Sequence, residues 1–446
     1  MRWLSRDYAH LWHPFTQADE WERAEQNRVI ERGEGVWLID TEGRRYLDGT
    51  SSLWCNILGH RHPKLDAAVR AQLDRIAHTT LLGLTHPGAV EHAERLCALT
   101  GLDRVFYSDS GSTAVEVALK MAFQACQQRG DRQRTRFAAL NEAYHGDTVG
   151  SVSLGGIDLF HAVYRPLLFE AVRLPSPERA EAAEEAACLE RARELFAQHG
   201  HELAALVVEP LVQGAAGLRR HSVAFLDALG TLARAAGAYV VFDEVATGFG
   251  RLGTLFAADQ VSVRPDFLCL AKAITGGYLP LAATLTTNAV YDHFRGPYPE
   301  YRTFFHGHTY TGNPLAVAAA LATLDVIEET RLVERLPGRA AELRRALDAV
   351  AHPCIHERRH LGMMGGLVLR GPDGSGFPAE ARVGHRVSLA ARKHGAIVRN
   401  LGDTVMLMPP LVMEAPELHT LTRAVEAALV DVLGASPAAD ESGLPR

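Results

Sequence analysis

From about residue 61 the chain alternates between two hydrophobic periods. PKLDAAVRAQLDRIAH repeats apolar residues at Leu65, Val69, Leu73 and Ile76, the spacing of a helix. Pro63 and Pro87 stand where helices can begin, and Gly101 where one can end. Short runs rich in β-branched and aromatic residues follow: VFYSDS, RFAALN, LAALVVEP, AYVVFDE, DFLCLAK and LPLAATLTT. Helical stretches such as TAVEVALKMAFQAC and VAFLDALGTLARAA separate them. Strands covered on both faces read as continuous apolar runs, so this alternation predicts an α/β fold, a largely parallel sheet with helices on its faces.

The charged, Ala-rich segment 177–200 predicts a solvated surface helix. After the long apolar helix NPLAVAAALATLDVIEET the texture changes to a helix, strands near GGLVLR and AIVRN, and a closing helix in PELHTLTRAVEAALVDVL. The expected organisation is a large domain over 61–329, a smaller α+β domain built from both chain ends, 1–60 and 330–435, and a frayed tail over 436–446.

Composition narrows the function classes. Of 446 residues, 47% are hydrophobic and 22% charged, so there is ample material for a packed core. Lys+Arg 46 against Asp+Glu 53 gives −7, which argues against a nucleic-acid binder. Neither a signal peptide nor a membrane-spanning apolar run is visible, so a cytoplasmic protein without a membrane partner is expected. The six cysteines are scattered with no CxxC pair and are assigned no chemistry. His60 with His62 and His306 with His308 lack Cys or carboxylate partners at a convincing spacing, and no metal is expected.

The candidate chemistry gathers at strand ends. Ser110 to Thr113 follow VFYSDS, Tyr144 and His145 follow RFAALN, Glu209 follows LAALVV, Asp243 ends AYVVF, and Lys272 follows DFLCLA. Open α/β sheets place their ligand crevice there. In SDSGSTAVEVALK a strand passes through small residues into a helix whose free N–H groups suit a phosphate at Gly111 and Ser112; alone, the motif reads as readily as an ordinary helix cap. Asp243 brings a carboxylate to the crevice on a buried strand, which needs a cation or donor to meet it, either a protonated ring nitrogen or a structural Arg. A lysine after an apolar strand is partly desolvated, which favours the neutral nucleophile that condenses with an aldehyde. Phosphate seat, carboxylate and buried lysine together describe a pyridoxal phosphate site, with Tyr144 and Val245 as candidates for the two faces of its flat ring. The competing reading is a nicotinamide oxidoreductase, because Gly248-Phe-Gly250-Arg-Leu-Gly253 spells GxGxxG after a strand. Against it, Asp243 and Glu244 intervene and no helix opens at Gly253.

The motifs SDSGSTAVEVALKMA, NEAYHGDT, VVFDEVATGFGRLG, CLAKAITGGYLP and FFHGHTYTGNP resemble those of class III, fold-type I pyridoxal phosphate aminotransferases. WHPFTQ, DGTSSLWCNILGHRHP and VRNLGDTVMLMPP resemble the branch that converts 8-amino-7-oxononanoate to 7,8-diaminononanoate in biotin biosynthesis. The resemblance spans nearly the whole chain. It implies a mostly parallel seven-stranded sheet and a homodimer with shared sites. Lys272 would hold the cofactor and move protons, Asp243 would pair with the ring nitrogen, and Tyr144 would stack on the ring. Gly111, Ser112, His308 and Thr309 would serve cofactor binding, with Thr309 given to the other subunit. For substrate it implies Phe15, Trp54, Tyr144, Gly307 and Arg399, with Arg251 either a second anion contact or part of a structural ion pair. The amino donor would be S-adenosylmethionine or L-lysine. Phe15, where the adenosylmethionine users carry Tyr, points toward lysine, and Ala246, where many class III members carry Gln, points away from a general ω-aminotransferase.

Overall fold

The computed structural model describes residues 2–435, so the tail expected over 436–446 lies outside the described residues. Its centre is a seven-stranded sheet of β1 (Arg104–Ser108), β2 (Arg136–Leu140), β3 (Val172–Leu174), β4 (Leu203–Val208), β5 (Tyr239–Asp243), β6 (Phe267–Leu270) and β7 (Ala282–Thr286). The strand order is β1-β7-β6-β5-β4-β2-β3. Every neighbouring pair is parallel except those of β7, which runs antiparallel to both β6 and β1. The reason is length. Residues 271–281 form a short turn through Gly276 and Gly277, whereas a parallel return needs a crossover of a dozen or more residues.

β4, β6 and β7 are buried at every position, as the continuous apolar runs require. β3 was not legible beforehand, because the three residues VRL carry no periodicity. The helix expected from PKLDAAVRAQLDRIAH is shorter than its apolar pattern: it spans Pro63–Leu73 and leaves Ile76 beyond it and exposed. Gly101, in the left-handed region at φ 71°, closes the helix Pro87–Thr100. The pairing Asp243↔Cys269 sets the end of β5 beside the end of β6, so Asp243 and Lys272 share one edge of the sheet.

Both ends of the chain enter one further sheet. Arg45–Asp48 pairs parallel with Ala396–Ile397, and Ile30–Glu34 and Trp37–Asp40 complete it. Ile355–Leu361, Met364–Leu369, Arg399–Leu401 and Thr404–Leu407 form another, and the two share apolar packing through Leu47, Leu343, Val387 and Leu421.

Candidate active site

Lys272 leaves β6 two residues past its last strand position and begins the short turn Lys272–Thr275. Its φ of 44° is left-handed, a conformation costing a non-glycine residue roughly 1–3 kcal/mol, tolerated where the surroundings fix it. The turn aims the amine at Trp54, Nζ lying 5.5 Å from the indole centroid. Burial lowers the ammonium pKa below the ordinary lysine value, with Asp243 and Glu209 opposing the shift.

Asp243 is 4% exposed and fully partnered. His145 Nδ1 lies 2.7 Å from Oδ2, and the Val245 backbone N–H donates to Oδ1 at 3.0 Å. Among the described residues no Arg pairs with it; the buried partner is a histidine whose other ring nitrogen, Nε2, is without a hydrogen-bond partner. Glu209 receives N–H bonds from Gly214 at 3.0 Å and Tyr144 at 3.3 Å. Burial raises its carboxyl pKa to about 7.

The proposed phosphate seat is a helix start with tight packing. Ser110 caps the helix Gly111–Gln128 in a reciprocal box with Thr113. Ser112 Oγ accepts N–H bonds from Asp147 at 2.7 Å and Thr148 at 3.4 Å, which leaves its own hydroxyl proton free to donate. Gly146, at φ 117°, makes that approach possible, since a Cβ there would sit on Ser112 Oγ. At Gly111 a Cβ would fall 2.5 Å from Val245 Cγ1. Gly111→Ala is therefore expected to lower stability by about 1–3 kcal/mol, read by thermal unfolding, and to push Val245 out of place.

Among the residues expected to meet substrate, Tyr144 donates its hydroxyl to Asp147 Oδ2 at 2.7 Å, and burial together with that carboxylate pushes the phenol well above its ordinary range. Its ring lies parallel to His161, with centroids 6.3 Å apart, and edge-on to Phe160. Phe160 also meets Phe15, whose exposed ring lies 5.8 Å from the Arg399 guanidinium. Burial lowers the Arg399 pKa, with the nearby Tyr144 phenol and Asp147 carboxylate opposing the shift. Arg251 is 1% exposed and in contact with carbonyls rather than an acid: it donates to Pro409 O at 2.6 Å, Met363 O at 3.4 Å and Ser51 Oγ at 3.3 Å. Burial lowers its pKa to about 10.

Gly307 and Thr309 are exposed, and a Cβ on Gly307 would meet nothing within 4 Å. Their segment lies along the Gly111–Gln128 helix, where Lys120 reaches His306, His306 reaches His308, and His308 Nδ1 lies 2.9 Å from Asp109. Asp147, Phe160 and His161 escaped the sequence reading. Asp147 stood in NEAYHGDT and offered a signal; Phe160 and His161 offered none. Of the GxGxxG glycines, Gly248 and Gly250 are buried, their hydrogens facing Glu244 O and the side chains of Leu336 and Leu411, and turns rather than a helix follow. These glycines serve core packing.

The sequence model of the family described as Aminotransferase class-III matches residues 20–429. An adenosylmethionine-8-amino-7-oxononanoate aminotransferase of Nitratidesulfovibrio vulgaris is 53% identical over 97% of this chain and 82% of its own length. The enzyme of that name from Geobacter sulfurreducens is 45% identical over 96% of this chain and 97% of its own. Among solved structures, the Methanocaldococcus jannaschii enzyme of that name superposes with TM-score 0.92 at 37% identity, covering 96% of this chain and 99% of that one. A PLP-bound amine transaminase from an uncultivated Pseudomonas species gives 0.88 at 35%, covering 95% and 98%. With strand order, strand-end chemistry and these likenesses in agreement, the chain belongs to the class-III aminotransferases.

Proposed function

We propose that the protein is a pyridoxal phosphate-dependent aminotransferase that converts 8-amino-7-oxononanoate to 7,8-diaminononanoate, working as a homodimer with S-adenosylmethionine as amino donor. The observation that carries the cofactor is a partly buried lysine amine beside a strand-end carboxylate, Asp243, whose partners are a buried histidine and a backbone N–H. The residues fit the group. The start of the Gly111–Gln128 helix and the free Ser112 hydroxyl suit a phosphate dianion, and the Val245 and Tyr144 side chains suit the two faces of a flat ring. When bound, the cofactor supplies an aldehyde that captures amines and an electron sink for the neighbouring carbon.

The protein's own contribution is placement and protonation. Burial disfavours the Lys272 ammonium and so shifts the balance toward the neutral amine, and the same nitrogen can take and return a proton within the crevice. Asp243 would accept a hydrogen bond from the cofactor's protonated ring nitrogen and so keep it protonated, its two oxygens already oriented by His145 and Val245. Tyr144 is kept neutral and tied to Asp147, so it packs as a fixed aromatic wall. Arg399, beside the Phe15 ring, is the cation for the keto acid's carboxylate, which a planar guanidinium can hold with two parallel hydrogen bonds.

Substrate identity rests on the relatives' names and donor identity on the adenosylmethionine in those names; Phe15 is the observation that favours lysine as a second reading. The test offers each donor separately with 8-amino-7-oxononanoate and follows diamine formation. S-adenosylmethionine is expected to support turnover and L-lysine not. Turnover with lysine alone would transfer the donor assignment, and no diamine with either donor would remove the substrate assignment.

A further inference from the structure

The four residues that carry Trp54 to Lys272 are all left-handed: Ser51 at φ 48°, Ser52 at 57°, Leu53 at 126° and Trp54 at 69°. None is glycine. Such a run persists only where surrounding contacts over-determine it, and here one buried carboxylate adds four hydrogen bonds, two from Thr50 and two from Ser52, to the backbone bonds that Leu53 and Trp54 give to Thr50 O. Asp48, fully buried at the end of its strand, accepts from the Thr50 backbone N–H at 3.3 Å, the Thr50 hydroxyl at 3.2 Å, the Ser52 backbone N–H at 2.9 Å and the Ser52 hydroxyl at 2.8 Å. His60 Nε2 lies 3.0 Å from Asp48 Oδ2, and His60 Nδ1 accepts from Asn56 at 2.9 Å. From the other side Ser51 Oγ donates to Met408 O at 2.6 Å and accepts from Arg251. The indole that emerges is 7% exposed, packs against Gly214, where a Cβ would come within 3.2 Å of Cζ3, and keeps its Nε1–H unpartnered beside the reacting amine.

We infer that Asp48 is a positioning residue for the reaction, holding the left-handed turn that sets Trp54 against Lys272 and shapes the wall met by the amino acceptor. The polar partners of Asp48 are Thr50, Ser52 and His60, not Lys272 or Trp54, so it acts through the turn. The inference rests on the proposed reading of Lys272 as the reacting amine.

A double-mutant cycle tests it. Asp48→Asn keeps the shape of the side chain but loses the charge and one acceptor. It is expected to raise KM for 8-amino-7-oxononanoate about tenfold or more while kcat falls less. Trp54→Ala is expected to do the same. If Asp48 works through Trp54, the double variant stays within about twofold of Trp54→Ala alone. Independent, multiplying effects would overturn the inference, since a general structural role adds its loss in either background. A second readout needs no turnover. Acrylamide quenching of apoenzyme fluorescence, with and without Trp54→Phe, isolates Trp54 among the five tryptophans. That component is expected to become more accessible in Asp48→Asn, and unchanged quenching would overturn the inference. Should Asp48→Asn fail to fold, Ser52→Ala removes one clamp donor, and its smaller effect is expected to vanish in the Trp54→Ala background; persistence there would overturn it. If the substrate reading itself is wrong, the unsubstituted enzyme makes no diamine, and the quenching pair alone decides.

Discussion

Lys272→Ala is expected to abolish transamination, with kcat/KM falling by at least about 10⁴-fold, because on the proposed reading the amine that captures the cofactor and the base that moves protons are lost together. The magnitude follows from what the site invests in this nitrogen. An ordinary lysine, with a pKa near 10.4, is neutral in fewer than about one molecule in a thousand at pH 7, and each unit of lowering raises that share roughly tenfold. Burial lowers the Lys272 value, and Trp54 covers the amine on one side. Lys272→Arg is expected to be equally inactive, since a guanidinium remains protonated. Borohydride reduction followed by peptide mapping checks the assignment: the label falls on position 272 in the unsubstituted protein and nowhere in the alanine variant. A label elsewhere with activity retained would refute it.

Asp243→Asn is expected to lower kcat by about 10³-fold, the scale seen when one pre-oriented electrostatic contact to the reacting charge is removed. The substitution is near-isosteric, and the amide oxygen can still accept from either His145 or the Val245 N–H. Folding should survive, and the loss isolates charge from shape. Single-turnover absorbance with the donor alone separates the outcomes: a slow half-reaction with normal cofactor loading supports the ring-nitrogen role, and a rate within tenfold of the unsubstituted enzyme defeats it. Asp243→Glu is expected to recover only part of the rate. It restores the charge, but the extra methylene displaces the carboxylate from a site with no slack, Asp243 being 4% exposed.

Lys272 and Asp243 were legible beforehand because both end continuous apolar runs, and a polar residue ending a buried strand must either meet a partner or line the crevice. Gly111 and Ser112 were legible as a strand-to-helix start. The role of His145 was not: its ring meets Asp243 across 98 residues of chain. Arg251 was expected in an anion contact or an ion pair and is engaged by two carbonyls and a hydroxyl, contacts that follow from where Met363, Pro409 and Ser51 come to lie.

The chain's own pattern therefore determined six of the seven central strands, that most run parallel, and which reactive side chains their ends carry, because periodicity and burial are local properties of ten or so residues. Tertiary structure alone decided the strand order, the reversal of β7, the union of Asp48 with Ile397 in one sheet, and the left-handed turn that lays Trp54 beside Lys272. Backbone ladders form between any two strands of suitable length and carry no residue code for partner choice. Partner choice was settled by connection length, as between β6 and β7, and by side chains that meet only after the sheet has closed.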